Sequence, residues 1–399
     1  MKLSRRANKI QASPIRKLMP FADIARKQGT QIYHLNIGQP DIETPREMLD
    51  VYRKYDEKVL AYGPSQGLDE YRTNLVRYYG RHNILLNKED IIVTTAGSEA
   101  LIFALLVTCN PGDEVIVPEP FYTNYNGFAE MTGVKIVPLT TYAEDGFTLP
   151  PDENLEALIT DKTAAIMLCN PGNPTGTVFP KSEIERLGNL ALKHNLYVIS
   201  DEVYREFIYD GYVHTSILDI AGLEDLAIMV DSISKRYSAC GARIGCLVSK
   251  NKELMAATLK FAQARLCPPT IDQLAANACI DIEEDYFKNI ITEYDHRRNL
   301  VFEELQKIDD IICIKPTGAF YIIAKLPISD AEHFAKWMLT EFRIDNETVM
   351  FSPAEGFYAT PGLGKDEVRL AYILNEEKLA KAMNIFRLGL EKYIETFEN

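Results

Sequence analysis

The chain has 399 residues, of which 46% are hydrophobic and 25% charged, and a formal net charge of −14. That length exceeds one small core and predicts two domains, or one large and one small; the composition excludes a disordered chain. The negative charge argues against non-specific binding to nucleic acid or anionic membranes, but leaves room for a local cationic pocket.

The N-terminus, MKLSRRANKI, is basic, yet no apolar h-region follows, so no signal peptide is expected. Next comes GPSQG (63–67), which fits the G-x-S-x-G elbow of serine hydrolases and would make Ser65 a nucleophile. Pro64 beside the serine and the polar flank KVLAYG make a poor strand-to-helix elbow, so a serine hydrolase is a distant alternative. The longest apolar run, near LIFALLV (101–107), falls far short of the roughly 20 residues that span a bilayer. Seven cysteines, at 109, 169, 240, 246, 267, 279 and 313, form no CxxC pair. They read as small buried hydrophobes of a reducing compartment, and a cytoplasmic location is expected. The histidines show no metal-binding spacing, and no metal site is expected.

From residue 91 onward, short apolar β-branched runs alternate with amphipathic stretches. Strands are expected at 91–95, 114–118, 135–139, 164–169, 196–200, 227–232 and 244–249, with helices between them such as 98–109 and 181–194. This is the pattern of an α/β fold: a mostly parallel central sheet flanked by helices. The last third differs. Helices near 251–265, 272–307 and 331–343 flank a strand-like pair, IICIKP and AFYIIAKL. TVMFSP, EVRLAYI and a helix from about 376 complete a smaller α+β part. The expected division is a large domain over 46–285 and a small one made of 1–45 and 286–399.

Parallel α/β sheets bind ligands at the carboxyl ends of their strands. Five strand ends here are polar or glycine-rich. AGSEA puts Gly97 and Ser98 at a helix start, which serves either as ordinary capping or as an anion seat. EPFYTNY follows the second strand. NPGNPTG (170–176) is either a rigid turn or a stiff loop that aims Asn173 at an oxygen of a bound ring. SDEVY ends a buried strand on Asp201, which is costly to bury unpaired. That carboxylate is either a helix cap or the holder of a protonated ring nitrogen, with Tyr204 on the same side if the segment is helical. SISKRYSACGARIG (232–245) ends another buried strand on Ser232, Ser234, Lys235 and, further on, Ser238 and Arg243. The stretch is either a surface loop with two solvated cations or a site, where a partly desolvated lysine has its amine freed as a nucleophile and an arginine can clamp a phosphate. An anion seat, a ring-oxygen donor, a ring-nitrogen carboxylate and an imine-forming lysine together describe one ligand, pyridoxal 5′-phosphate (PLP).

The ordered set NPGNPTG, SDEVY and SISKRYSACGARIG resembles the class I/II aminotransferases, the fold-type I PLP enzymes related to aspartate aminotransferase, from about Asn36 to Arg369. The resemblance implies that Lys235 bonds the cofactor aldehyde and shuttles a proton between substrate Cα and cofactor C4′. It implies that Asp201 pairs with the pyridinium nitrogen, and that Asn173 and Tyr204 bond the 3′ oxygen. Gly97, Ser98, Ser232 and Arg243 match the phosphate cup, with Ser234 beside them, and Tyr122 matches the aromatic stacked on the ring. Arg369 matches the grip on the substrate α-carboxylate, and Gly38, in NIGQPD, a backbone contact to it. Tyr62, in AYGPSQG, matches the tyrosine that reaches the neighbouring subunit's phosphate, which implies a homodimer with shared active sites. Gln39 stands where many relatives carry Glu, and Ser98 where some aspartate-specific relatives carry a lysine. The implied activity is a ping-pong transamination from an L-amino acid, aspartate first, to a 2-oxo acid such as 2-oxoglutarate. The alternative is a PLP-dependent C–S or other lyase. A dicarboxylic substrate needs a second cation, for which Arg16 and Lys17 are candidates. Arg236 and Tyr237 receive no role.

Overall fold

The computed structural model describes residues 2–10 and 14–398. Strand β1 (Gln31–His34) lies near the N-terminus. The central strands are β2 (Ile91–Thr95), β3 (Glu114–Glu119), β4 (Lys135–Thr140), β5 (Thr163–Cys169), β6 (Tyr197–Asp201), β7 (Ala227–Ser232) and β8 (Ile244–Val248). They form one seven-stranded sheet in the order β2-β8-β7-β6-β5-β3-β4. All run parallel except β8, which is antiparallel to both of its neighbours.

The period-two geometry of a strand sends alternate residues to opposite faces. Along β5, Ile166 and Leu168 enter one apolar cluster with Ile91, Val93 and Val198. Ala165 and Met167 enter the other, with Ile92, Val115, Val117 and Ile199. Helices cover both faces, which is why these strands are continuous apolar runs rather than alternating ones.

Beyond the sheet come β9 (Tyr321–Lys325), β10 (Glu347–Met350), β11 (Ser352–Pro353) and β12 (Glu367–Ala371). β12 sits between β11 and β9, antiparallel to both. β1 pairs in parallel with β10, Gln31 opposite Glu347. Ile32, Tyr33 and Leu35 thereby join an apolar cluster with Phe334, Val349, Leu370 and Phe386.

Three elements depart from the sequence expectation. β1 was not foreseen, because four residues carry no period of their own and need β10 as a template. The helix expected over 272–307 is two, Thr270–Asn277 and Glu284–Leu305. Between them the Ile280 carbonyl accepts from Arg81 at 2.7 Å and Asp281 pairs with Arg77 and Arg81, which holds the chain in a turn. IICIKP forms no strand and makes only a bridge from Ile312 to Lys325. The chain then leaves toward Pro316, whose carbonyl accepts from Arg298 at 2.7 Å.

Candidate active site

A cavity of about 430 Å³ opens at the carboxyl ends of β2, β3, β5, β6 and β7. Each strand end supplies part of its wall: Gly97 and Ser98 after β2, Tyr122 after β3, Asn173 after β5, Asp201 and Tyr204 at the end of β6. Ser232, Ser234, Lys235 and Arg243 come from the connection between β7 and β8. Gly38, from the segment after β1, and Arg369, on β12, close the other side. Twelve of the thirteen candidate residues therefore share one cavity. Tyr62 lies outside its lining and is 83% exposed.

The local fold explains these placements. Ser232 caps the short helix Ile233–Arg236, its Oγ accepting from the Ser234 amide at 3.2 Å. This turns Lys235 back over the strand ends, where its Nζ donates to the Gly38 carbonyl at 2.7 Å. Glycine is required at 38, because a Cβ there would lie 1.7 Å from Tyr321 Oη. Gly245 is required for another reason. A Cβ on it would fall 2.5 Å from the Ala96 carbonyl carbon and 2.6 Å from the Gly97 nitrogen, forcing β8 off the start of helix Ala96–Thr108. Arg243 has φ of 56°, donates to the Cys240 carbonyl at 3.0 Å, and makes no ion pair among the described residues.

Asp201 is buried. Tyr125 Oη donates to its Oδ2 at 2.8 Å, while Oδ1 has no partner among the described residues. Burial pushes its pKa up to about 6, against the lowering effect of the Tyr125 hydrogen bond. Tyr204 shares a hydrogen bond of 2.8 Å with Tyr321, and the segment holding it is a turn rather than a helix. Arg369 is 1% exposed. It donates to Asn173 Oδ1 at 3.0 Å and to the Asn36 carbonyl at 2.6 Å, and among the described residues it has no carboxylate partner and leaves Nε unpaired. Burial lowers its pKa. Asn36 Nδ2 also lacks a partner among the described residues.

The lining holds four cations, Arg16, Lys235, Arg243 and Arg369, against one acid, Asp201. A chain of net charge −14 has thus concentrated positive charge in one cavity. Lys17 is engaged elsewhere, pairing with Glu332 at 2.6 Å. Arg236 and Tyr237 prove to be supports. Arg236 is buried beneath the site, paired with Asp231 and lying over the Tyr78 ring, and Tyr237 donates to the Cys279 carbonyl at 3.1 Å.

Sequence reasoning missed Asn36, Tyr125, Cys240 and Tyr321. Asn36 and Tyr125 lie inside quoted motifs, NIGQPD and EPFYTNY, but nothing local distinguishes Tyr125 from its neighbour Tyr122. Cys240 has its Sγ 3.8 Å from Lys235 Nζ. Tyr321 sits in an apolar strand and has no sequence signal. Ser65 follows no strand, since residues 55–68 contain none, so the hydrolase elbow is absent.

A doubly covered parallel sheet with a cationic cavity at its strand ends defines an α/β enzyme that binds anionic ligands. The chain matches the family model "Aminotransferase class I and II" over residues 30–386, and it belongs to that family. It is 33% identical to an aspartate aminotransferase of Pyrococcus abyssi, over 96% of this chain and 97% of that one. It is 31% identical to aromatic-amino-acid aminotransferase 2 of Thermococcus litoralis, over 96% and 97%. Among solved structures, an alanine aminotransferase from Pyrococcus furiosus superposes with a TM-score of 0.89 at 31% identity, covering 98% of this chain and all of that one. The protein is an aminotransferase. Among its described residues, no helix is long and apolar enough to cross a membrane.

Proposed function

We propose that the protein uses PLP to move an amino group from an L-amino acid, aspartate first, to a 2-oxo acid such as 2-oxoglutarate, in ping-pong fashion. The observation that carries this reading is the unpartnered Oδ1 of buried Asp201, on the wall of the cavity that also holds Lys235. A buried carboxylate with a free oxygen is costly, and a protonated ring nitrogen would satisfy it.

Bound PLP would supply an aldehyde and an electron-accepting ring. Arg243, with no acidic partner among the described residues, fits its phosphate, together with Gly97, Ser98, Ser232 and Ser234. Tyr122 would cover one face of the ring, and Asn173 and Tyr204 would hold its oxygen. Lys235 would bond the aldehyde carbon and, once displaced by substrate, carry the proton from Cα. Arg369 and Gly38 would orient the α-carboxylate, with the Arg369 Nε free for one more bond. Asp201, kept ionised by the ring, would stabilise the charge that develops when Cα loses its proton.

The reading extends to assembly and compartment. Tyr62 would reach the phosphate in a second copy, in a homodimer with shared active sites. Val59 and Leu60 beside it are 73% and 61% exposed, an apolar run that suits an interface. Residues 46–285 would act as the cofactor domain, and 1–45 with 286–399 as the small domain. The location would be cytoplasmic.

The test is half-reaction spectroscopy. Purified protein should carry the visible absorbance band of bound PLP, absent from Lys235→Ala, and aspartate should bleach it with release of oxaloacetate. Failure of every amino acid to do so sinks the transaminase reading. Pyruvate and ammonia as products would indicate a lyase.

A further inference from the structure

The motif EPFYTNY (119–125) gives Tyr122 to the cavity and Tyr125 to Asp201, but its first residue has no part in the reading above. Glu119 ends β3, lies outside the cavity lining and is 0% exposed. It makes no ion pair among the described residues. Its Oε1 accepts from Thr140 Oγ1 at 2.8 Å. Its Oε2 accepts from the Ala359 and Thr360 amides at 2.7 and 3.0 Å. A carboxylate buried among neutral donors is costly to keep. What this one fastens is a segment 240 residues further along the chain.

That segment, 357–360, lies against the arginine that lines the substrate side. The Phe357 ring centre is 4.9 Å from Arg369 Cζ, and the Tyr321 ring centre is 4.5 Å from it. The Phe357 carbonyl accepts at 2.9 Å from the amide of Phe121, the residue before Tyr122. Tyr358 Oη donates at 2.6 Å to Glu367 Oε2. Glu367 and Arg369 are alternate residues of β12 and so share a face. The segment is therefore tied to β3 on one side and to the Arg369 strand on the other. A planar guanidinium takes a carboxylate through parallel N–H bonds only at the right tilt, and Phe357 is one of the two rings that set it.

We infer that Glu119 is a positioning residue for the carboxylate grip: through segment 357–360 it holds the ring that supports the Arg369 guanidinium. The inference rests on the reading above in which Arg369 takes the substrate α-carboxylate. An amino acid gains from this support, whereas an amine without a carboxylate gains nothing.

The test follows the visible band of holoenzyme as L-alanine or ethylamine, the same molecule without its carboxylate, is added. The concentration dependence gives an apparent dissociation constant for each. Wild type should favour alanine. Glu119→Ala should weaken alanine about 10- to 100-fold and leave ethylamine unchanged. Glu119→Gln should restore most of the loss, because its amide oxygen can accept from both backbone N–H groups. In an Arg369→Gln background, Glu119→Ala should add no further loss, since the two residues act as one unit. Tyr358→Phe cuts the other tie and keeps the ring; it should weaken alanine alone, by about 3- to 10-fold, and it carries the test if Glu119→Ala does not fold. Equal weakening of alanine and ethylamine would mean a merely structural role and overturns the inference. So does an additive loss in the Arg369→Gln background. A wild-type preference for alanine that survives in Glu119→Ala overturns this inference alone. No preference in wild type overturns the Arg369 reading, and this inference with it.

Discussion

Asp201 and Asp231 lie in neighbouring strands of one sheet, both almost fully buried, yet they are held in opposite ways. Around Asp231 every need is met: Arg236 pairs with one oxygen, Tyr79 Oη donates to it at 2.8 Å, and the Ser232 amide donates to the other at 2.7 Å. Burial alone would raise its pKa, but Arg236 and then Arg205 outweigh that and hold it below the ordinary value. Asp201 has one tyrosine, one unpartnered oxygen and a pKa pushed up to about 6. The first is a strut and the second is a seat. The contrast teaches that burial of a carboxylate does not by itself indicate function; what it leaves unpaired does.

The largest test of that contrast is Asp231→Asn. It takes from buried Arg236 its nearest acid, leaving only Glu206 at 3.6 Å, and should cost about 3–5 kcal/mol, read from the urea midpoint of cofactor-free protein. Because the Asp231 pKa is depressed, its stabilisation is present above the unfolded carboxylate range and is lost as pH falls through the depressed value. The mutant should therefore approach wild type in acid.

Asp201→Asn should do the reverse. The folded pKa of about 6 stands above the ordinary aspartate value of 3.8, so the folded state holds the proton more tightly. A stability penalty grows as pH rises between those values, reaching about 3 kcal/mol by pH 7. Cofactor-free Asp201→Asn should thus be more stable than wild type at neutral pH and equal to it below pH 4. Its transaminase activity should fall about 100- to 1000-fold. A mutant less stable than wild type at pH 7 would erase the distinction between strut and seat.

Tyr125→Phe sharpens the comparison on a smaller scale. It removes the side-chain donor to Asp201, at a cost of about 1–3 kcal/mol to the cofactor-free protein near neutral pH. The carboxyl pKa should move further up, as followed by carbon NMR. At the bottom of the scale, Lys17→Gln breaks only an exposed pair with Glu332 and should shift stability by at most about 1 kcal/mol.

The seven central strands were legible because each is a short apolar run bounded by turn chemistry, and both sheet faces are covered. The cavity was legible for the same reason: its motifs sit at strand ends, where a parallel sheet gathers them. Legibility failed where a residue acts through a distant partner. Tyr321 matters because it meets Tyr204 and excludes any side chain at Gly38, and neither relation is local. Asp231 lies inside a buried apolar strand and Arg236 receives no role from the sequence, and only the fold shows that they are buried together. Lys17 and Arg16 are adjacent in sequence, and only the position of Glu332 separates them.

β1 has a consequence for how the enzyme is made. It can form only against β10, and Tyr33 meets Glu347, 314 residues further along the chain. A ribosome releases the central sheet and Lys235 well before it has synthesised β10 and β12. Until then Gly38 has no fixed position above the lysine, and Arg369 does not exist. The cavity is therefore completed last, after translation has reached the C-terminal strands, and a half-made chain lacks the wall that Arg369 supplies.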